Sequence, residues 1–301
     1  MTNALDLQSL NAARLKPATH PTLTFDEEIR LREVESAFLE NECAAIAEQA
    51  ATAPNEARAF MQWYEDLRDT GPGQNDPLFP WLAEHATLDQ VRWFLAQEVA
   101  DEAGFDDLVA LTQLKLPVRA KLEMARNYWD EMGRGRQSGM HGPMLDRLAR
   151  EMNVSAIDEP IVWEAAALSN LLIGLAANRH YAYHSVGALG VIELTAPGRA
   201  AYVDAALTRL GIATKTKQYY ALHAVLDVKH SAAWNEEIIA PIVMENPSLC
   251  RPIAEGALMR LNAGARCFER YREKLLGAPS RRDRARETAD RYRDGIGNSA
   301  R

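Results

Sequence analysis

The segment YYALHAVLDVKHSAAW, which ends at Trp234, carries His223, Asp227 and His230 in an H-x3-D-x2-H pattern. At about 100° per residue on a helix, positions i, i+4 and i+7 fall within about 60° of one another. Two imidazoles and one carboxylate would then leave one side of a helix that is otherwise apolar through Leu222, Val225, Leu226 and Val228. Imidazole and carboxylate ligands together suit iron, manganese or zinc. The plain alternative is a helix whose histidines are ordinary core or surface residues, so the case turns on whether other segments supply matching ligands.

A centre with two metals calls for about six protein ligands. The chain has seven histidines, His20, His85, His141, His180, His184, His223 and His230. One further segment, RWFLAQEVADEAGFDDL, offers Glu98 on a helix rich in aromatic residues, with Glu102 one turn beyond it as the alternative. Another, NYWDEMGRGRQSGMHGPML, offers Glu131 and His141 ten residues apart. On a straight helix ten residues rise about 15 Å, which would serve two metals about 4 Å apart poorly. Gly133, Gly135, Gly139 and Gly142 lie between or beside the two residues, and glycine ends helices and permits tight turns. Glu131 is therefore expected to close one helix and His141 to open the next, with the glycine loop folding both toward one centre. The plain alternative is a surface loop with an incidental histidine.

Other candidates carry less. His180 and His184 are four apart, but Tyr181 and Tyr183 beside them favour packing. Glu164 and Glu193 are acids that would support ligands rather than act as them. Trp93, Tyr128 and Trp129 lie near the ligands in sequence and are candidates to wall the pocket, with core packing the favoured role.

The elements that must position these residues read as helices. Thr24 followed by Glu27 forms a capping box, and Leu31, Val34, Phe38 and Leu39 recur at helical spacing. TGPGQNDPLFP, residues 70–80, breaks the chain. Helical periodicity resumes over 88–114, Pro117 starts or ends an element, and a further helix covers 144–152. Pro160 opens a segment that reaches about His184, with its longest apolar run between Ala165 and Ala177. Pro197 is read as opening another helix that ends at Gly211. Thr214 or Thr216 is placed to cap the helix bearing His223, and 253–275 forms the last long helix. With no run of alternating β-branched residues, the chain reads all-α, roughly eight to ten helices. Residues 1–24 are expected to be a loose arm, 25–278 a single helical domain, and 279–301 a charged helix or tail.

Composition narrows the function classes. At 301 residues and 47% hydrophobic the chain can bury a sizeable core. A formal net charge of -8 argues against a nucleic-acid surface. Three scattered cysteines fit a reducing, cytoplasmic setting. The apolar run at 165–177 is too short to span a bilayer, so no membrane partner is expected.

Taken in order, Glu98, then Glu131-x9-His141, then His223-x3-Asp227-x2-His230 resemble the ligand set of the haem-oxygenase-like di-iron oxidases. The likeness covers about residues 85–245. The phrase VRWFLAQE also resembles the thiaminase-II-like branch of the same fold, where an acid stands at the place of Glu98; this is why Glu98 is preferred to Glu102. The resemblance implies a bundle of about seven core helices with additional N- and C-terminal helices. It implies two Fe(II) ions between facing helices in place of haem, with O2 as co-substrate. Three carboxylates and three neutral imidazoles around two Fe(II) ions would leave a charge of about +1, a reasonable balance for a desolvated site.

The expected function is an iron- and O2-dependent oxidase of a small, amino-acid-like metabolite, acting by C–H cleavage that leads to desaturation or C–C fragmentation. The N-oxygenating members carry an extra carboxylate three residues before the histidine that matches His141; here that position is Ser138, which tilts the reading away from an N-oxygenase of an amine or amidine. A cofactor-independent, thiaminase-II-like hydrolase would need a cysteine nucleophile, and Cys43, Cys250 and Cys267 lie outside the matched motifs. A non-catalytic ligand-binding bundle is the third class. A homodimer is expected from the resemblance.

Overall fold

The computed structural model describes residues 2–101, 104–154 and 159–277. They fold into α1 (Thr2–Leu15), α2 (Phe25–Ala45), α3 (Ala47–Ala50), α4 (Ala57–Thr70), α5 (Leu78–Glu84), α6 (Leu88–Asp101), α7 (Phe105–Thr112), α8 (Val118–Glu131), α9 (His141–Glu151), α10 (Trp163–Ala177), α11 (Ala182–Arg209), α12 (Gln218–Ala233), α13 (Ala240–Glu245) and α14 (Cys250–Leu276). Among the described residues there is no strand, so the fold is all-α. Helices exceed the eight to ten expected because short pieces such as α3 and α13 carry too few residues for a visible period. Glu102 and the charged segment 279–301 lie outside the described residues.

The core is built around α10, whose residues 165–176 are all buried. A helix that is apolar on every side must be enclosed by neighbours, and α1, α6, α7 and α14 pack against it. Each fully buried leucine there, Leu171 and Leu175 among them, contributes about 2 kcal/mol by leaving water. The long helix α11 runs between α12 and α14. Gly187 on α11 and Gly256 on α14 permit the closest approach, since a Cβ at either would overlap the backbone of the other helix, at Ile253 and His184 respectively.

The structure corrects several sequence expectations. The N-terminal stretch is not a loose arm: α1 buries Leu7, Asn11 donates to Asn170, and Arg14 bonds the buried Glu35 at 2.6 Å. The continuous helix expected over 88–114 breaks at Gly104, which adopts φ +72°, giving α6 and α7. Pro197 does not open a helix but lies inside α11; lacking an N–H, it withdraws the bond to the Glu193 carbonyl without ending the helix. Neither Thr214 nor Thr216 caps α12, whose first turn follows Lys217; Thr216 instead donates to Glu151. The capping box of Thr24 and Glu27 on α2 is present as expected.

Candidate metal centre

Glu131 is the last residue of α8 and His141 the first of α9. Two short turns of tighter helix and an antiparallel bridge between Met132 and Met140 fold the loop back on itself. Gly133, with φ +59°, packs so closely on Gly139 that neither the backbone angle nor the space admits a side chain. The result brings Glu131 Oε2 to 2.6 Å from His141 Nδ1, both side chains buried.

α12 supplies the facing residues. His223 donates its Nδ1–H to the Tyr219 carbonyl one turn back (2.8 Å), which leaves Nε2 as the ring's acceptor atom. Its ring lies edge-on to His141, centroids 4.6 Å apart. Asp227 is buried, with Oδ1 4.0 Å from His230 Nδ1. His230 donates Nε2–H to Asp130 Oδ2 (3.2 Å) and turns Nδ1 toward Glu193 Oε1, 3.5 Å away. Directly beyond His230, the helix passes through one wider turn, Trp234–Ile239, before α13, and Trp234 donates to the Val186 carbonyl, tying α12 to α11.

Two groups of donor atoms result. Glu131, His141 and His223 form one; Glu131, Glu193 and His230 form the other; within each, the atoms lie within 4.8 Å of one another. Glu131 belongs to both. Asp227 and Glu98 stand outside both groups but line the same cavity, with Glu131, Glu193 and His223. Of the six residues expected as ligands, four are thus brought together, and two stand at the cavity wall. Glu193 was placed by sequence among supporting acids; the structure puts it in the cluster, held by Asn127 Nδ2 at 2.6 Å. It is the only one of the group on α11, so no spacing signalled it. Asp130 had no signal either, because neighbours on a helix point about 100° apart.

Electrostatics set the protonation states. Burial holds His141 and His223 down to about 4, so both are neutral and able to ligate. Burial, then the charge of Glu193, pushes Glu131 well above the usual carboxylate range. Burial alone would depress His230, but bonding and charge from Glu193, with Asp130 and Glu131, outweigh it and raise it to about 9. The carboxylates that draw a proton onto His230 would equally draw a cation. Burial raises Glu98 to about 7, against the pull of Arg199 and Arg260.

The donor set fits a metal. His141 Nδ1 and His230 Nδ1 are buried and lack an aligned hydrogen bond, although carboxylate oxygens lie close by. Buried imidazole nitrogens facing carboxylate oxygens form a donor set that a cation between them would complete.

The remaining candidates are elsewhere. Trp93 packs against Tyr271 in the core, and Trp129 is exposed, covering Gly135. The aromatic residues at the cavity are Phe79, Phe105, Tyr219 and Tyr220. His184 pairs with Glu255 at 3.2 Å, and Glu164 is half-buried; both lie apart from the cluster. Cys43, Cys250 and Cys267 are free thiols, and none lines the cavity. Among the described residues, no helix is long and apolar enough to cross a membrane.

Residues 92–265 match a family of proteins described as iron-containing redox enzymes, a span that holds every residue of both donor groups. Two crystal structures of a CADD-like protein of unknown function from Nostoc punctiforme PCC 73102 share the fold. One is 16% identical with a TM-score of 0.54, covering 73% of this chain and 96% of that one. The other is 15% identical with a TM-score of 0.52, covering 80% and 98%. No match was found among curated proteins.

Proposed function

The chain belongs to the iron-containing redox enzymes, and from that premise we propose that it is a non-haem di-iron oxidase that uses O2 to cleave a C–H bond of a small metabolite. The observation that carries the reading is the shared carboxylate: one buried residue, Glu131, completes two donor groups at once. Glu131, His141 and His223 would hold one iron, and Glu131, Glu193 and His230 the other, with Asp227 beside His230 and Glu98 on the wall of the same cavity. Two irons there would supply dioxygen activation.

The chain's own residues do the rest. Tyr219 fixes the His223 tautomer, and Asp130 fixes the His230 ring; such outer partners orient ligands and raise their basicity. Three carboxylates, Glu131, Glu193 and Asp227, would offset most of the charge of two Fe(II) ions, which burial requires. Phe79, Phe105, Leu145 and Val203 line the cavity with apolar surface, which limits water around the substrate. C–H cleavage is favoured over N-oxygenation because Ser138 brings no carboxylate and is exposed on the loop. The free cysteines stand away from the cavity, which disfavours cysteine-based hydrolysis.

The test is anaerobic Fe(II) loading with metal quantitation, then rapid mixing with O2 while visible absorbance is followed, for wild type and His223→Ala side by side. Two irons per chain and a transient absorbing species in wild type alone are expected. Iron binding without O2 consumption under any substrate would favour a binding protein, and uptake unaffected by His223→Ala would sink the reading.

A further inference from the structure

The acid and imidazole cluster occupies only part of its cavity, whose volume is about 130 Å³. Arg199 from α11 and Arg260 from α14 line it too. Along α11, Arg199 lies six residues beyond Glu193, a rise of about 9 Å. Ala196 and Ala200 line the same stretch with nothing larger than a methyl group. The same cavity thus holds the acidic cluster and two arginines.

The basic end is a built feature. Arg260 extends along α14 over Gly264, where an added Cβ would lie 2.5 Å from Nη1. The glycine therefore provides the space that the guanidinium uses. One turn further, the Phe268 ring lies 5.6 Å beneath the guanidinium carbon of Arg199, so both cationic heads converge on the stretch 264–268. The Nε of Arg260 is buried without a hydrogen-bond partner among the described residues. A buried donor of this kind costs free energy until a ligand takes it. One carboxyl group, that of Glu98, already stands within the field of both arginines, which shows which acceptor the pair suits. Arg199 and Phe79 also border a second cavity of about 430 Å³, rimmed by the exposed Tyr202 and Val228. That cavity approaches Arg199 from a side that Glu131 and Glu193 do not line, although Asp69 and Asp76 do.

We propose that Arg199 and Arg260 form a clamp for the substrate's carboxylate, so that the substrate is a small carboxylic or amino acid with its reacting carbon directed at Glu131 and Glu193. Planar guanidiniums match the two oxygens of a carboxylate, and such charge-assisted bonds are the strong ones. The direction of the reacting carbon rests on the di-iron reading; the clamp itself needs no metal.

The probes are butanoate, hexanoate and octanoate against their amides, which keep shape and lose charge. Binding is measured by calorimetry on the full-length, Fe(II)-loaded chain under nitrogen. At least one carboxylate is expected to bind about tenfold or more tighter than its amide. Arg199→Gln and Arg260→Gln should each erase that preference. Gly264→Ala, which removes no charge and displaces only the flexible end of Arg260, should weaken it. Equal binding of acid and amide, no binding at any chain length, or a preference unchanged in both Arg260→Gln and Gly264→Ala would overturn the clamp. The same titration on metal-free His223→Ala separates the two readings: a carboxylate preference that survives there sustains the clamp even if the iron assignment fails.

Discussion

Glu131 Oε2 and His141 Nδ1 meet at 2.6 Å across a nine-residue loop, and the same carboxylate reaches Glu193 and His230 on the other side. Sharing makes Glu131 unlike every other residue of the cluster. Glu131→Ala is expected to lose both irons, whereas His223→Ala and His230→Ala should each lose chiefly one. Iron per chain after anaerobic loading and desalting reads the difference directly. A Glu131→Ala protein that keeps one full equivalent would show that the groups bind independently.

Much of this arrangement was legible because it is local. The period of His223, Asp227 and His230 follows from helix geometry, and the glycines between Glu131 and His141 announced the turn that joins them. The all-α class followed from apolar spacing. What stayed hidden is set by tertiary packing. Glu193 has no partner ligand at helical spacing on α11, and only the closeness of α8, α11 and α12 makes it part of the cluster. Pro197 misled because the rule that places proline at helix starts is a preference, and a long helix packed on both sides tolerates the lost bond. Arg199 and Arg260 had no pattern at all; they meet through the rotation of α11 against α14, which spacing along one helix cannot supply.

Among the residues of the cluster, Asp130 bonds to His230, and its charge is also felt by Glu131 and His141. Removing its charge while keeping its shape should leave the fold intact and loosen the second iron. Asp130→Asn is expected to weaken Fe(II) binding by about 10- to 100-fold, with little change in the melting temperature of the metal-free chain. Competition with a chelator of known affinity measures it. Unchanged affinity would mean that the bond to Asp130, seen at 3.2 Å, does not position the ring.

The pH dependence of the metal-free chain follows from groups whose shifts have opposite signs. His141 and His223, lowered from 6.5 to about 4 by burial, cost stability as pH falls from 6.5 toward 4. Above that window they are silent. Glu98 is raised from 4.5 to about 7, so its contribution is full below 4.5 and lost as pH climbs through 7. His230, raised from 6.5 to about 9 by Glu193 and Asp130 against burial, contributes fully below 6.5 and loses that contribution as pH rises through 9. Glu131, raised by burial and by Glu193, acts in the same sense as Glu98. Above 6.5 Glu98, Glu131 and His230 leave only losses, so the melting temperature of the metal-free chain should fall steadily to pH 9. Iron replaces these protons, so the gain in melting temperature on Fe(II) loading should grow over the same range. Scanning calorimetry at matched pH values tests both, and a gain independent of pH would show that these groups release no protons to iron.

The loop that joins the two halves of the first donor group offers a test with its own control. Gly133 has φ +59° and no room for a Cβ beside Gly139 and Met140, whereas Gly142, one residue beyond His141, has nothing within 4 Å of such a position. Gly133→Ala must therefore strain the backbone and push the two arms of the loop apart, at a cost of about 1–3 kcal/mol. Gly142→Ala adds a methyl to open space in the first turn of α9 and gains helix propensity of up to about 1 kcal/mol. The first variant is expected to melt lower and lose the iron held by Glu131, His141 and His223; the second should melt at or above wild type with full iron. The comparison isolates loop geometry from ligand chemistry, because neither variant changes a ligand. If both variants kept full iron, the approach of Glu131 to His141 would owe its stability to the helices on either side rather than to the turn.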